Sequence, residues 1–170
     1  MSGFTIHNAS APVFVAALGN MKAWLVKAAD REPELMTATL APDMAALPRQ
    51  YQMASDTAKN ALARLTGTDA PSMPDTEASF AELADRCDRT IAYLQSFGPE
   101  ALEGAATRDV EMRFPNGMGY RWAGSTFLIG FALPNFYFHV TTAYAILRSN
   151  GVALGKPDFL QHLGPPNLKA

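Results

Sequence analysis

Three polar residues, His139, Asn135 and Gln50, have the types and spacing that favour a binding site in this sequence. Asn135 and His139 lie four residues apart, so on a helix they project from one face and can contact a single ion or small molecule. Gln50 borders the apolar stripe of a second predicted helix, and we expect its side chain to reach inward to the same level. These three residues form the candidate site.

The chemistry of this site is open between three alternatives. In the first, His139 is a neutral core histidine that forms a hydrogen bond with Gln50, Asn135 or a buried water. In the second it is a metal ligand, and in the third it is an acid/base catalyst. Zinc and similar ions favour imidazole, thiolate and carboxylate ligands, so one histidine with two neutral amides suits hydrogen bonding better than metal capture. Asp43 precedes the second helix and either caps or charge-complements the N-terminus of that helix, orients His139 or completes an ion site.

Structural roles account for the other reactive side chains. Cys87 falls on the inner stripe of a predicted helix, where a free cysteine behaves as a small hydrophobe. Asp56 is a solvated helix residue or an inward polar one, and His7 and His162 are expected in solvated terminal segments. The sequence has no Gly-rich phosphate loop, paired cysteine motif or nucleophile elbow.

His139 lies within the longest stretch without a charged side chain, the 26 residues 122–147. About 20 apolar residues suffice to cross a bilayer. Pro134, Asn135 and His139 would nevertheless expose costly polar groups at mid-membrane depth. We therefore predict a helix that is apolar on most faces and buried in a bundle, with no membrane span.

Periodicity predicts the elements around this helix. Apolar residues recur at helical spacing over about 12–29, from Leu47 to Leu65 with Gly67 just past the helix end, and after the Ser79/Glu82 capping box. Alternation then predicts two strands joined at Asn116–Gly117 by a tight hairpin turn with positive φ angles. The last helix begins near residue 125 and ends at 150–151, with a kink or break at Pro134. The sequence thus predicts one mainly α domain over 1–170, a four-helix bundle with a β-hairpin before the last helix and an irregular tail from about 151.

Composition narrows the classes of partner. Fourteen Lys and Arg face 16 Asp and Glu, a net charge of −2, so there is no basic excess to bind nucleic acid. A lone cysteine fits a reducing compartment, and the N-terminus has no secretory pattern. A cytoplasmic location is expected.

The sequence resembles an uncharacterised bacterial family, a domain of unknown function, within the DinB/YfiT-like superfamily of four-helix bundles. The resemblance covers nearly the whole chain and implies the same fold and a homodimer. In metal-dependent members of the superfamily, which include thiol S-transferases and a maleylpyruvate isomerase, three histidines hold the metal: one on the second helix and an HxxxH pair on the fourth. The segments that carry the resemblance are LAPDM at 40–44, QYQMASDTAKNALARL at 50–65, SFAEL at 79–83 and FALPNFYFHVTTAYAILRSNGVALGKPDFL at 131–160.

On this resemblance His139 stands for the second histidine of HxxxH, Asn135 occupies the place of the first, and Gln50 lies near the second-helix ligand. A divalent metal, zinc or nickel, is the implied cofactor, with Asp43 or a tail histidine as a substitute ligand. One hypothesis is a divergent metal-dependent thiol transferase or isomerase with an incomplete site. The alternatives are a module that binds or senses a small molecule, and a structural dimer without catalysis.

Overall fold

Four long helices form the core of the protein in the computed structural model, which describes residues 4–165, 167 and 168. The first helix packs mainly on the third, and the second packs on both the third and the fourth. Their apolar faces enclose one core, so the predicted four-helix bundle is confirmed. The helices are α1 (Ala11–Lys27), α2 (Leu47–Thr66), α3 (Phe80–Gln95) and α4 (Leu133–Ser149).

The ends of α2 and α3 follow from local chemistry. Pro48 lies in the first turn of α2, where its missing N–H costs nothing. Gly67 ends α2 in the left-handed region, at φ 74°, and the next N–H, of Thr68, bonds the carbonyl of Ala63 at 2.9 Å. Ser79 caps α3 by accepting from the Glu82 N–H at 3.2 Å.

A widened turn lies before α4, and the helix continues through Pro134 without the break that was one of the two expected outcomes. An α-helical turn, Gly124–Phe127, continues into a π-helical turn, Leu128–Ala132, and then directly into α4. Pro134 follows that turn and has no N–H to offer the carbonyl four residues back. The π turn lets the chain stay helical through this point, and such turns are frequent at functional sites.

The predicted hairpin is confirmed, but its turn differs from the expected one. β1 (Asp109–Arg113) pairs antiparallel with β2 (Gly119–Ala123). The Phe114 N–H donates to the Met118 carbonyl at 2.7 Å, which closes a three-residue loop, and Gly117 alone takes a positive φ, 83°. Pro115 fixes the φ angle that a type I turn needs at its second position, so only the glycine enters the left-handed region.

The segment after α4 packs on α1 and contains a short helix, Lys156–Phe159, where the sequence predicted no regular element. Pro157 suits the first helical turn, and the Asp158 carboxylate accepts from the Gly155 N–H at 2.7 Å. The Trp24 indole donates to the Asp158 carbonyl at 3.1 Å and anchors this helix. Among the described residues, no helix combines the length and apolarity needed to cross a bilayer.

Candidate functional site

His139 and Gln50 are brought together by the packing of α4 on α2. His139 Nδ1 lies 2.9 Å from Gln50 Oε1, and the two residues are 8% and 1% exposed. The hydrogen bond therefore forms almost out of water, where an unpaired polar group would cost about 1–3 kcal/mol. It joins two helices through residues that are 89 positions apart in the chain.

The orientation of Gln50 determines which imidazole nitrogen carries the proton. Gln50 Nε2 donates to the Ala45 carbonyl at 2.9 Å, so Gln50 Oε1 is left as an acceptor toward His139. Nδ1 must then donate, and in a neutral ring Nε2 keeps its lone pair. Within the described residues Nε2 has no hydrogen-bond partner, and it is not among the fully buried unpaired atoms.

The surroundings of His139 favour its neutral form. Burial lowers the pKa of the imidazole, and the positive charge of Arg49 lowers it further. At neutral pH the ring is thus uncharged, and Nε2 is a hydrogen-bond acceptor. An acceptor of this kind can take a hydroxyl, an amide N–H or an ammonium group of a ligand.

Asn135 forms a second link between the same helices. Its side-chain nitrogen donates to the Thr57 hydroxyl at 2.8 Å, and that hydroxyl donates to the Met53 carbonyl at 2.7 Å. The side-chain oxygen of Asn135, Oδ1, has no hydrogen bond within the part of the chain that the structure describes. Asn135 and His139 thus both present an acceptor, one helical turn apart.

Asp43 is the predicted site residue that the structure leaves apart. It is exposed in a turn before α2, and the cap position of α2 is Ala46, which has no side-chain cap. Across residues 4–165, no hydrogen bond or ion pair joins Asp43 to His139 or to α2. The predictions that it caps α2 or orients His139 are therefore not met.

A cavity of about 270 Å³ runs along the α2–α4 seam beside His139, and we call it the seam groove. Five residues on one face of α2, between Met53 and Arg64, form one wall. Residues of α4 and of the two helical turns before it form the other, and Met112 of β1 closes one side. The lining residues are Met53, Asp56, Thr57, Asn60, Arg64, Met112, Phe127, Phe131, Ala132, Asn135 and His139.

The sequence prediction missed the far end of this groove. Asn60, Arg64, Phe127 and Phe131 line it, but only the level of His139 was predicted. The signal was present for α2, because Asn60 and Arg64 continue the helical face of Thr57. Phe127 and Phe131 continue the spacing of four residues that relates Asn135 to His139, so the predicted last helix also carried a signal for them.

Asp56 reaches this groove but its charge is already compensated. It bonds Arg86 at 2.8 Å and Lys59 at 3.3 Å. Cys87 is fully buried, and burial raises the pKa of its thiol to about 12, as expected for a packing residue. Neither residue provides a free ligand or nucleophile at neutral pH.

The residues around His139 do not fit a zinc or nickel ion held as in the metal-dependent superfamily members. Only the Nε2 lone pair of His139 is available among these three residues, because Nδ1 donates to Gln50. The residues at the other two ligand positions, Gln50 and Asn135, carry amides. Among the described residues, no group of three His, Cys, Asp or Glu could hold a metal ion. Amide oxygens are weak ligands for these ions.

Comparison with known proteins supports the fold found here. Residues 6–160 match the family described as a domain of unknown function, DUF1993. The crystal structure of a DinB family member protein from Shewanella denitrificans is similar over 97% of this chain and 95% of that chain, with a TM-score of 0.84 and 38% sequence identity. No curated protein matches the chain. The family match spans all four long helices and the hairpin.

Proposed function

We propose that this chain, which belongs to the DUF1993 family and has a DinB-like bundle, binds a small organic molecule in the seam groove without a metal. His139 is the central binding residue of the proposal. The groove combines amide, hydroxyl and imidazole groups with apolar side chains. This mixture is typical of small-molecule sites, where a few polar groups orient a ligand among hydrophobic contacts.

The two nitrogens of His139 carry this proposal. Nδ1 is held by Gln50, so the ring is fixed in orientation and tautomer, and Nε2 remains without a hydrogen bond in the described structure. Nε2 is not fully buried, so a donor group of a ligand can reach it in the groove in place of water. A fixed ring with one free acceptor is pre-organised to bind a ligand, because little entropy is lost when the ligand arrives.

The metal-dependent transferase or isomerase is the competing function, and the residues at the site do not favour it. A superfamily member of that type needs three strong ligands, whereas this seam offers one imidazole between amides. Elemental analysis of untagged protein tests this alternative directly. One equivalent of zinc, nickel or manganese that is lost in His139→Ala would contradict our proposal.

Two variants separate binding from stability at this position. His139→Asn retains an N–H near the place of Nδ1, so it can still donate to Gln50, but it has no counterpart of Nε2. Gln50→Leu removes the partner of Nδ1 and leaves Nε2 in place. His162→Asn is the matched control, because His162 is exposed and its hydrogen bond in the described structure is to Asn20, which does not line the groove.

The experiment is a ligand screen with a library of small polar molecules, read by protein NMR shifts and by thermal unfolding. We expect ligands that shift residues of the seam groove, lose binding in His139→Asn and bind His162→Asn like the unmodified protein. A screen without such ligands, or ligands indifferent to His139→Asn, would contradict the proposed function. Dimerisation stays a prediction from the sequence, which light scattering tests, and so does the cytoplasmic location.

A further inference from the structure

Arg64 is a charged residue of the seam groove, and it lies at the end away from His139. It lies on the face of α2 that lines the groove and is half-buried. Its contact in the described structure is a long hydrogen bond of 3.5 Å to the Asn60 carbonyl within the same helix. Burial lowers the pKa of the guanidinium, which reflects lost solvation without a compensating carboxylate.

Nearby cations differ from Arg64 in this respect. Lys59 pairs with Asp56 at 3.3 Å, and Arg86 pairs with Asp56 at 2.8 Å. Asp56 is the one acid that lines the groove, and these two cations already neutralise it. Within the described residues Arg64 has no ion pair. The groove therefore holds an uncompensated positive charge at its far end.

The helical geometry sets the distance between this charge and His139. The α2 wall runs from Met53, at the level of His139, to Arg64, at the level of Phe127. Eleven residues of α-helix span about 16 Å along the axis, and the long side chain of arginine shortens the gap. Between the two ends the α4 side of the groove offers the apolar surface of Phe131 and Ala132, whereas the α2 side is polar at Thr57 and Asn60.

On the basis of the proposed function, we infer that the seam groove binds a small organic carboxylate whose anionic end pairs with Arg64. Its far end carries a hydroxyl or N–H that donates to His139 Nε2, and a flat apolar body lies against Phe127 and Phe131. Arginine suits this role because its planar fork offers two parallel N–H donors to a carboxylate. The two ends of the groove thus differ in the chemistry that they recognise.

Three probes of one shape test the carboxylate: para-hydroxyphenylpropionate, its methyl ester, and phenylpropionate, which lacks the hydroxyl. Affinities for the unmodified protein are measured by NMR titration. A charged hydrogen-bonded contact contributes about 1.5–3 kcal/mol, so we expect the ester to bind about 10–100-fold more weakly than the acid. We expect phenylpropionate to bind more weakly than para-hydroxyphenylpropionate. Because it has no hydroxyl to donate to His139, its affinity should not change in His139→Asn.

Substitutions assign the effect to Arg64. Arg64→Met should weaken the acid about as much as esterification does, and Arg64→Lys should be intermediate because it keeps the charge without the fork. Arg108→Met is the matched control: Arg108 lies near Gly67 at the end of α2, is exposed, and does not line the groove. If Arg64→Met does not fold, the comparison of acid and ester on the unmodified protein still decides.

The outcomes separate this inference from the proposed function. Equal affinity for acid and ester, with binding still lost in His139→Asn, overturns the inference that the ligand is a carboxylate. The proposal that the groove binds a small molecule would then still stand. Absence of groove shifts with all three probes also overturns the inference. The proposed function falls only if the wider library fails as well.

Discussion

Arg86 holds the connection between α2 and α3 to the bundle, and replacing it by methionine should destabilise the protein strongly. The residue is fully buried on α3, with its guanidinium 2.9 Å from Glu77, 2.8 Å from Asp56 and 3.1 Å from Asp75. It also donates to the Pro74 carbonyl at 3.1 Å. Arg86→Met fills similar space with an apolar side chain but leaves three acids without their shared cation.

The three acids do not contribute equally to the cost. The side chains of Asp56 and Asp75 are 33% and 35% exposed, and they keep Lys59 and Arg49 as partners. Glu77 is only 5% exposed, and its remaining close partner is the neutral Gln52 at 2.9 Å.

Loss of one partner from a buried pair costs about 3–5 kcal/mol, and the retained Gln52 bond places the expected loss near the lower end, about 3 kcal/mol. For a domain of this size that corresponds to a fall in Tm of about 6–12 °C.

Urea denaturation followed by circular dichroism measures this loss. Arg89→Met is the control, because Arg89 is 46% exposed and lies 3.9 Å from Glu77, so its removal should cost less than about 1 kcal/mol. Glu77→Gln combined with Arg86→Met should cost less than the sum of the single changes, since no buried charge remains. An Arg86→Met loss no larger than the control, or additive costs in the double variant, would refute this reasoning.

The pH dependence of the same variant provides an independent check. Although burial alone raises it, hydrogen bonds from Arg86 and Gln52 bring the pKa of Glu77 below its ordinary value. The carboxylate therefore stabilises the fold above about pH 4.5, and this contribution is lost as the pH falls through the lowered pKa. The difference in stability between the unmodified protein and Arg86→Met should therefore shrink as the pH falls from the ordinary carboxyl range through the lowered pKa of Glu77.

Three further predictions concern the site and the core. Gln50→Leu should cost about 1–3 kcal/mol in urea denaturation and abolish the fixed tautomer of His139 in nitrogen NMR, whereas an unchanged tautomer would contradict the assigned bond. Because burial and Arg49 lower the pKa of His139, the unfolded state takes up the proton first, so stability should fall as the pH drops below about 6.5. His139→Asn should remove this loss of stability, and a loss that persists in the variant would show that another group causes it. Cys87, with a thiol pKa of about 12, should not react with thiol reagents at pH 8 unless the protein unfolds.

Most of the fold could be predicted because its helices obey local rules. The proline at the start of α2, the glycine after it and the Ser79 cap each fix a helix end through backbone chemistry near in sequence. The π turn before α4 could not be predicted, since it depends on packing around Pro134 and not on a periodic pattern. The helix at 156–159 was missed for a similar reason, because its stability comes from Trp24 on a distant helix.

The candidate site was predictable where helical spacing alone relates its residues. The pair Asn135 and His139 and the inward reach of Gln50 followed from the faces of two helices, and the bond between His139 and Gln50 fulfils that expectation. The free charge of Arg64 could not be predicted, because it depends on where Asp56 finds its partners. Charge balance in a groove is a property of tertiary structure, and the sequence only provides the charges.

The seam between α2 and α4 suggests why amides stand where metal-dependent relatives of the superfamily carry histidines. In this chain both positions link helices, since Gln50 fixes His139 and Asn135 bonds Thr57. These links leave His139 Nε2 and the Asn135 side-chain oxygen as acceptors at the groove. If a metal were restored by changing Gln50 and Asn135 to histidine, both links would be lost together. We therefore expect that double variant to gain metal affinity and to lose both stability and any ligand that the unmodified groove binds.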